Sequence, residues 1–154
     1  MGDFAVIEAW EIHNRIHLYM LNAVPEAALG GVSASKGRTI GEQFAHIHNV
    51  RLMWLKAAAP ELLAGLVKIE KDGLDKAGLA KSLGASSAAI AALLRQAAVD
   101  EDRIKGFKPH GTAFFAYLVS HESHHRGQIA LTLKQAGFPL DKKTAYGIWE
   151  WGVR

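Results

Sequence analysis

The sequence predicts an all-α protein, a four-helix bundle with a long crossover connection. Apolar residues recur at helical intervals over long stretches, Gly or Pro residues separate these stretches, and no convincing strand pattern occurs. The chain has 154 residues, of which 49% are hydrophobic and 21% are charged. This length and composition predict one globular domain over residues 1–154.

The first two predicted helices end at proline signals. Apolar residues spaced for one helical face run over residues 6–24, and Pro25 then closes the segment. Residues 31–38 are small and polar and predict a loop. The second helix is predicted over residues 40–58 and ends before Pro60. The following connection is long, so a simple up-down-up-down order is not assured.

The last two predicted helices have candidate caps. The third spans residues 86–104, with Ser86 or Ser87 as N-cap, and a short helical turn precedes it at residues 74–79. Thr112 is the predicted N-cap of the fourth helix, which runs to residue 136. Three aromatic residues then lie within the tail at 146–151, and we expect the tail to pack across the bundle or at an interface.

Composition excludes several classes of function. The chain contains no cysteine, which excludes disulfides, zinc–thiolate sites, iron–sulfur clusters and thiol nucleophiles. The net charge of +3 comes without a basic block, so we expect no nucleic-acid partner. No run of about 18 apolar residues and no basic N-terminal region were found, so we expect neither a membrane span nor a secretory signal. The predicted location is cytoplasmic.

The strongest chemical signal is a histidine pair in the fourth helix. His121 and His125 lie about 40° apart on a helix, so both can bind one metal ion; two hydrogen-bonded core histidines are the alternative. With Glu122 they fit the zinc-protease pattern H-E-x-x-H. A protease of this class needs a strand edge to hold its peptide, and no strand is predicted. Glu122 is also expected at the rim of the bundle. We therefore do not expect a protease.

A third ligand should come from a facing helix. His46 and His48 are about 200° apart on the second helix, so only one can point inward, and the apolar pattern does not choose between them. His13 and His17 form another pair four residues apart, for which a surface or core role is expected. His124 is expected to support a ligand or to be exposed.

Two stretches together resemble a known family. The two stretches are SHESHHRGQIALTLKQAGFP in the fourth helix and FAHIHNVRLMWL in the second. Both resemble the DinB-like family, also called the YfiT-like metal-dependent hydrolase group. The resemblance implies a four-helix bundle with a long crossover, often a homodimer. It also implies a divalent metal, usually zinc or nickel, bound by three histidines that correspond to His46, His121 and His125.

The resemblance also implies a range of activities. Characterised relatives include thiol-dependent S-transferases and an isomerase, which implies a small-molecule substrate and a low-molecular-weight thiol. A hydrolase that activates water and a non-catalytic metal- or ligand-binding bundle are the alternatives. Arg126 is a candidate for binding a carboxylate or forming a surface or interface ion pair. Gln128 is a candidate partner of a ligand histidine or a packing amide.

Overall fold

The computed structural model describes the backbone of residues 2–154 and the side chains from residue 4 onward. Its long helices are α1 (Gly2–Ala23), α2 (Ile40–Ala58), α3 (Lys76–Val99) and α4 (Gly111–Gln135). A short helix, α5 (Lys142–Gly147), precedes a final 3₁₀ turn, Trp151–Val153. No strand occurs within residues 2–154. The all-α prediction is confirmed.

Helix α2 has the predicted bounds because both ends carry local signals. Thr39 and Glu42 form a capping box, in which each side chain accepts a hydrogen bond from the backbone amide of the other. Pro60 follows the helix and starts a separate 3₁₀ turn. The sequence therefore sets the position of α2, which carries His46 and His48.

Helix α3 begins well before the predicted start at residue 86, and this prediction was wrong. Asp75 is its N-cap and accepts a hydrogen bond from the Gly78 amide at 2.6 Å. Ser86 lies buried inside the helix, where its hydroxyl contacts the Leu83 carbonyl at 3.4 Å. A serine that bonds back to its own helix is compatible with an interior position.

The predicted cap of α4 also differs from the structure. His110 is the N-cap and its ring accepts a hydrogen bond from the Ala113 amide. The Thr112 hydroxyl instead donates to Asp102 Oδ2 at 3.0 Å. The predicted Thr112 cap is displaced because this carboxylate, from the preceding loop, engages the threonine.

Contacts between the helices establish the directions of the chain. Helix α1 is antiparallel to α3, since Asn22 contacts Lys76 and Glu11 contacts Arg95. Helix α2 is antiparallel to α4, with Gln43 beside His125 and Trp54 beside Phe114. Helices α2 and α3 are parallel, because residues 48 and 51 contact residues 82 and 86 in the same order. Residues 59–75 therefore form the long crossover, and the helix directions are up-down-down-up.

A polar layer divides the interior. One hydrophobic cluster contains Met20, Phe44 and Leu133, and the other contains Trp10, Leu55 and Phe114. Between them, each long helix contributes buried polar side chains: His13 and His17 from α1, Arg51 from α2, Ser86 from α3 and Glu122 from α4. The directions of the helices bring these side chains to one level of the bundle.

Helix α3 is long and apolar enough to cross a membrane by length and composition alone, with a mean hydropathy of 1.4 over an 18-residue window. In the bundle, 44% of this window is buried, and the helix packs against α1 and α2. A core helix meets the same two criteria.

Candidate metal centre

Three histidines meet at the seam between α2 and α4. The ring centroid of His46 lies 5.4 Å from that of His121 and 4.5 Å from that of His125. One ring nitrogen from each residue lies within 4.8 Å of the others. We call these three residues the histidine triad. Its geometry follows from the four-residue spacing on α4 and the antiparallel approach of α2.

Burial keeps the imidazoles of the triad neutral. It lowers the pKa of His125 to about 4, with smaller contributions from His121 and His46. Burial is also the largest cause of the lowered pKa of His46 and of His121. Neutral imidazole is the form that coordinates a metal ion. The triad is therefore in the ligating protonation state at neutral pH.

A side chain from α2 orients His125. The Nδ1 atom of His125 lies 2.7 Å from Gln43 Oε1, so it donates a hydrogen to the amide oxygen. This bond fixes the tautomer and leaves Nε2 with its lone pair. The sequence offered Gln128 for this role; Gln43 makes the 2.7 Å hydrogen bond, and a weaker side-chain interaction of Gln128 also raises the pKa of His125. Gln128 lines a neighbouring cleft.

Aromatic residues support His121. Tyr117 lies one turn earlier on α4 and stacks on the His121 ring, with an interplanar angle of 13°. Trp54 and Phe107 contact Tyr117 from α2 and the loop before α4. The Nδ1 atom of His121 is buried and has no hydrogen-bond partner among the described residues. A buried ring nitrogen of this kind is a position that a bound cation can satisfy.

His48 lies away from the triad. Its Nδ1 is 3.0 Å from the Ser82 carbonyl oxygen and its Nε2 is 2.8 Å from the Val67 carbonyl oxygen. Both ring nitrogens thus face backbone acceptors, and the side chain fastens the crossover to α2. The structure brings His46, rather than His48, to the α4 pair; coordination by His46 stays a prediction.

Two other residues of the fourth-helix stretch lie at the border of the triad. His124 is exposed, and its ring centroid is 5.2 Å from that of His125. Arg126 is 7% exposed and donates to Ser123 Oγ at 3.2 Å. No carboxylate of the described side chains lies within ion-pair distance of Arg126, and its Nη1 has no partner among them.

A second group of polar side chains lies in the middle of the bundle. Glu122 Oε2 is 2.8 Å from His13 Nε2 and 3.0 Å from His17 Nε2, and the two imidazole nitrogens are 3.1 Å apart. All three side chains are fully inaccessible to solvent. Together with Arg51 they form what we call the buried cluster. These distances are also compatible with three ligands of a metal ion.

Arg51 balances the charge of Glu122. Its Nε donates to Oε1 at 2.7 Å and its Nη2 donates to Oε2 at 2.8 Å. Its Nη1 donates to the Asn14 side chain and to the Leu83 carbonyl oxygen. Burial by itself would raise the pKa of Glu122, but the Arg51 guanidinium holds it well below the usual range. The carboxylate is therefore ionised and paired.

The sequence did not indicate this cluster. Glu122, expected at the rim, is fully buried, and His13 and His17 are both core residues. Arg51 lies on the apolar stripe of α2, four residues from both Ile47 and Leu55. A charged residue on such a stripe is the signal that could have identified a buried ion pair.

The histidine triad and the buried cluster differ in how well they could bind a metal cation. The triad has three neutral donors and borders an open cleft through His46. In the buried cluster, Arg51 already neutralises Glu122. Burial lowers the pKa of His13 and His17, with a small further contribution from the Arg126 charge. A divalent ion there would add charge to a site without solvent, which is costly. The triad fits a metal ion better.

The aromatic tail lies along α1. Trp151 is 6.4 Å from His13 between ring centroids, and the Arg154 guanidinium lies 3.7 Å above the Tyr19 ring. Tyr146 and Trp149 are exposed by 71% and 73%. The tail thus packs on α1, as one of the two sequence alternatives predicted, while two of its aromatic side chains face outward.

In a comparison with protein families, the model of the DinB family matches residues 1–146. Searches of curated proteins and of solved structures found no match.

Proposed function

The chain belongs to the DinB family, and we propose that it is a metal-dependent enzyme that activates a low-molecular-weight thiol. His46, His121 and His125 would hold the divalent cation, zinc or nickel. The reaction would be an S-transfer to, or a thiol-dependent isomerisation of, a small molecule. The observation that carries the proposal is the convergence of three neutral imidazoles beside an open cleft.

The composition of the site favours an external nucleophile. Three nitrogen ligands leave coordination positions free, an arrangement typical of catalytic metal sites. A bound divalent cation supplies Lewis acidity, which lowers the pKa of a thiol that binds to it. The chain has no cysteine, so the thiol must come from solution. The alternative hydrolase would use water in place of the thiol.

We also propose a cytoplasmic location and a homodimer. Tyr146 and Trp149 are exposed aromatic side chains of the tail, and such residues are enriched in protein interfaces. Analytical ultracentrifugation of the wild type and of Trp149→Ser would test the dimer. A monomeric wild type would contradict this part of the proposal.

Metal content tests the site. Untagged protein, purified without a metal column, should contain about one equivalent of zinc or nickel by elemental analysis. His46→Ala and His125→Ala should lose it, because each removes a ligand. His48→Gln and His13→Asn are matched controls that should retain it. Failure of the wild type to bind metal after reloading would overturn the proposal.

Thiol dependence tests the reaction. The zinc- and nickel-loaded protein should conjugate glutathione or free cysteine with an aryl halide, and His125→Ala should not. Turnover of an ester substrate at the same rate with and without thiol would favour the hydrolase. A metal-loaded protein without either activity would support a metal-binding bundle.

A further inference from the structure

A cleft of about 350 Å³ opens beside His46. Residues of the loop before α2, of α2 itself and of the crossover form its walls: Arg38, Glu42, Ala45, His46, Asn49, Lys68, Ile69, Glu70 and Lys71. Of the triad, His46 contributes directly to this lining. A molecule in the cleft therefore lies next to the candidate metal centre.

One positively charged side chain of this cleft has no ion-pair partner among the described residues. Lys68 Nζ lies 3.5 Å from Glu70 Oε1, and Lys71 Nζ lies 3.7 Å from Glu42 Oε1. These four charges cancel in pairs. Arg38 makes no ion pair or hydrogen bond through its side chain with the described residues. The local excess of positive charge belongs to Arg38.

Arg38 is within electrostatic reach of the triad. Its positive charge borders the same cleft as His46, one of the three side chains of the triad. The same charge repels a divalent cation held by these side chains. A negative group placed between Arg38 and such a bound cation would be attracted by both. The site is thus electrostatically complementary to an anion.

The backbone at Arg38 is held in position. Residue 38 directly precedes Thr39, the N-cap of α2. Gly37 has a φ of 102°, a conformation that favours glycine, and the Ser33 hydroxyl donates to the Lys36 carbonyl oxygen at 2.8 Å. The loop therefore presents Arg38 to the cleft from a defined point.

The opposite wall of the cleft is also fastened. The Asn49 side chain donates to the Ile69 carbonyl oxygen and accepts from the Ile69 amide, both at 2.9 Å. These two bonds fix the crossover against α2 beside His46. The cleft is therefore bounded on both sides by anchored backbone.

We infer that Arg38 binds an anionic oxygen group of the substrate, a carboxylate, in this cleft, so that the substrate class is a small organic acid. The inference rests on the proposed function. A guanidinium can donate two parallel hydrogen bonds to a carboxylate. The single unpaired charge of Arg38 matches one negative charge, which favours a carboxylate over a phosphate dianion.

The test measures anion binding without catalysis. Cobalt(II) replaces the native metal, and its visible absorption is followed during titration with acetate at constant ionic strength. Acetate should bind about tenfold more weakly to Arg38→Gln than to the wild type, equivalent to about 1.4 kcal/mol. Neutral acetamide should show no dependence on Arg38. Inorganic phosphate should bind more weakly than acetate.

Two control variants each remove one positive charge at another position. Lys68→Gln, in the same cleft but paired with Glu70, and Arg95→Gln, remote and paired with Glu11, should each change the acetate affinity less than twofold. Equal affinity of Arg38→Gln and wild type, or an equal loss in Lys68→Gln, would overturn the inference. Tighter binding of phosphate would overturn its assignment to carboxylates.

Metal content separates this inference from the proposed function. Arg38→Gln should retain the full cobalt content, since it removes no ligand. A cobalt-loaded wild type whose acetate affinity is independent of Arg38 would overturn the inference alone. A wild type that takes up no metal would overturn the proposed function and, with it, the inference.

Discussion

The histidine triad and the buried cluster both combine side chains of α4 with side chains of other helices, yet they lie in opposite environments. His121 and Glu122 are neighbours in sequence and point about 100° apart around the helix. His121 faces the seam, where it meets two other histidines beside a cleft. Glu122 faces the bundle axis, where it meets Arg51 and two histidines without any solvent.

This difference shows why imidazole and carboxylate groups, which can all bind metal ions, can have different roles in one bundle. Neutral donors at an accessible seam can accept a cation and still leave room for a substrate. A carboxylate at the bundle axis must be neutralised when the chain folds, and Arg51 does this. The buried cluster therefore specifies how the four helices meet, and the triad depends on that arrangement for its own geometry.

The largest expected effect comes from removing the charge partner in the buried cluster. Arg51→Met should lower the free energy of unfolding by about 3–5 kcal/mol, because it leaves the buried Glu122 unpaired. Urea denaturation measures this change. Arg95→Met, which breaks the exposed ion pair with Glu11, should cost less than about 1 kcal/mol. Equal costs for the two variants would remove the distinction between the buried and the exposed pair.

A smaller effect is expected from pH. Burial lowers the pKa of His17 to about 3, with a smaller contribution from His13. The unfolded chain binds a proton below about pH 6.5, whereas the folded chain does not until about pH 3. The stability contributed by neutral His17 is therefore complete above pH 6.5 and is lost progressively as the pH falls toward 3.

The change with pH can be measured by urea denaturation of metal-free protein between pH 6.5 and 4.5. The wild type should lose up to about 1.4 kcal/mol per pH unit through His17, and His17→Asn should show a slope reduced by that amount. If the free energy of unfolding of His17→Asn depends on pH as in the wild type, the pKa of His17 is not lowered in the folded protein.

The smallest expected effect is on the zinc affinity and comes from removing the Gln43 amide that accepts a hydrogen bond from His125. Gln43→Leu should weaken zinc binding by about tenfold, the lower end of the range for partners of metal ligands, because His125 loses the acceptor that fixes its tautomer. Competition with a chromophoric chelator measures the affinity. Gln128→Leu removes a weaker side-chain interaction with His125 and should reduce the affinity less than Gln43→Leu does. If Gln128→Leu has the larger effect, the orienting role belongs to the residue that the sequence suggested.

Local sequence patterns determined much of the fold. Helix α2 has the bounds that Thr39 and Pro60 imply, because a capping box and a proline act on neighbouring backbone. The start of α3 was missed because Asp75, rather than a later serine, caps the chain. The four-residue spacing of His121 and His125 also guaranteed that their side chains share one face of α4.

The sequence by itself therefore determined the helical class, the paired histidines of α4 and the absence of an internal thiol, since periodicity, spacing and composition are local properties. Only the tertiary structure showed that His46 rather than His48 lies beside the α4 pair, that Gln43 contacts His125 and that Arg51 pairs with Glu122. These contacts join residues far apart in the chain, and they depend on the direction and rotation of whole helices. Packing of two hydrophobic clusters around a polar layer sets those angles.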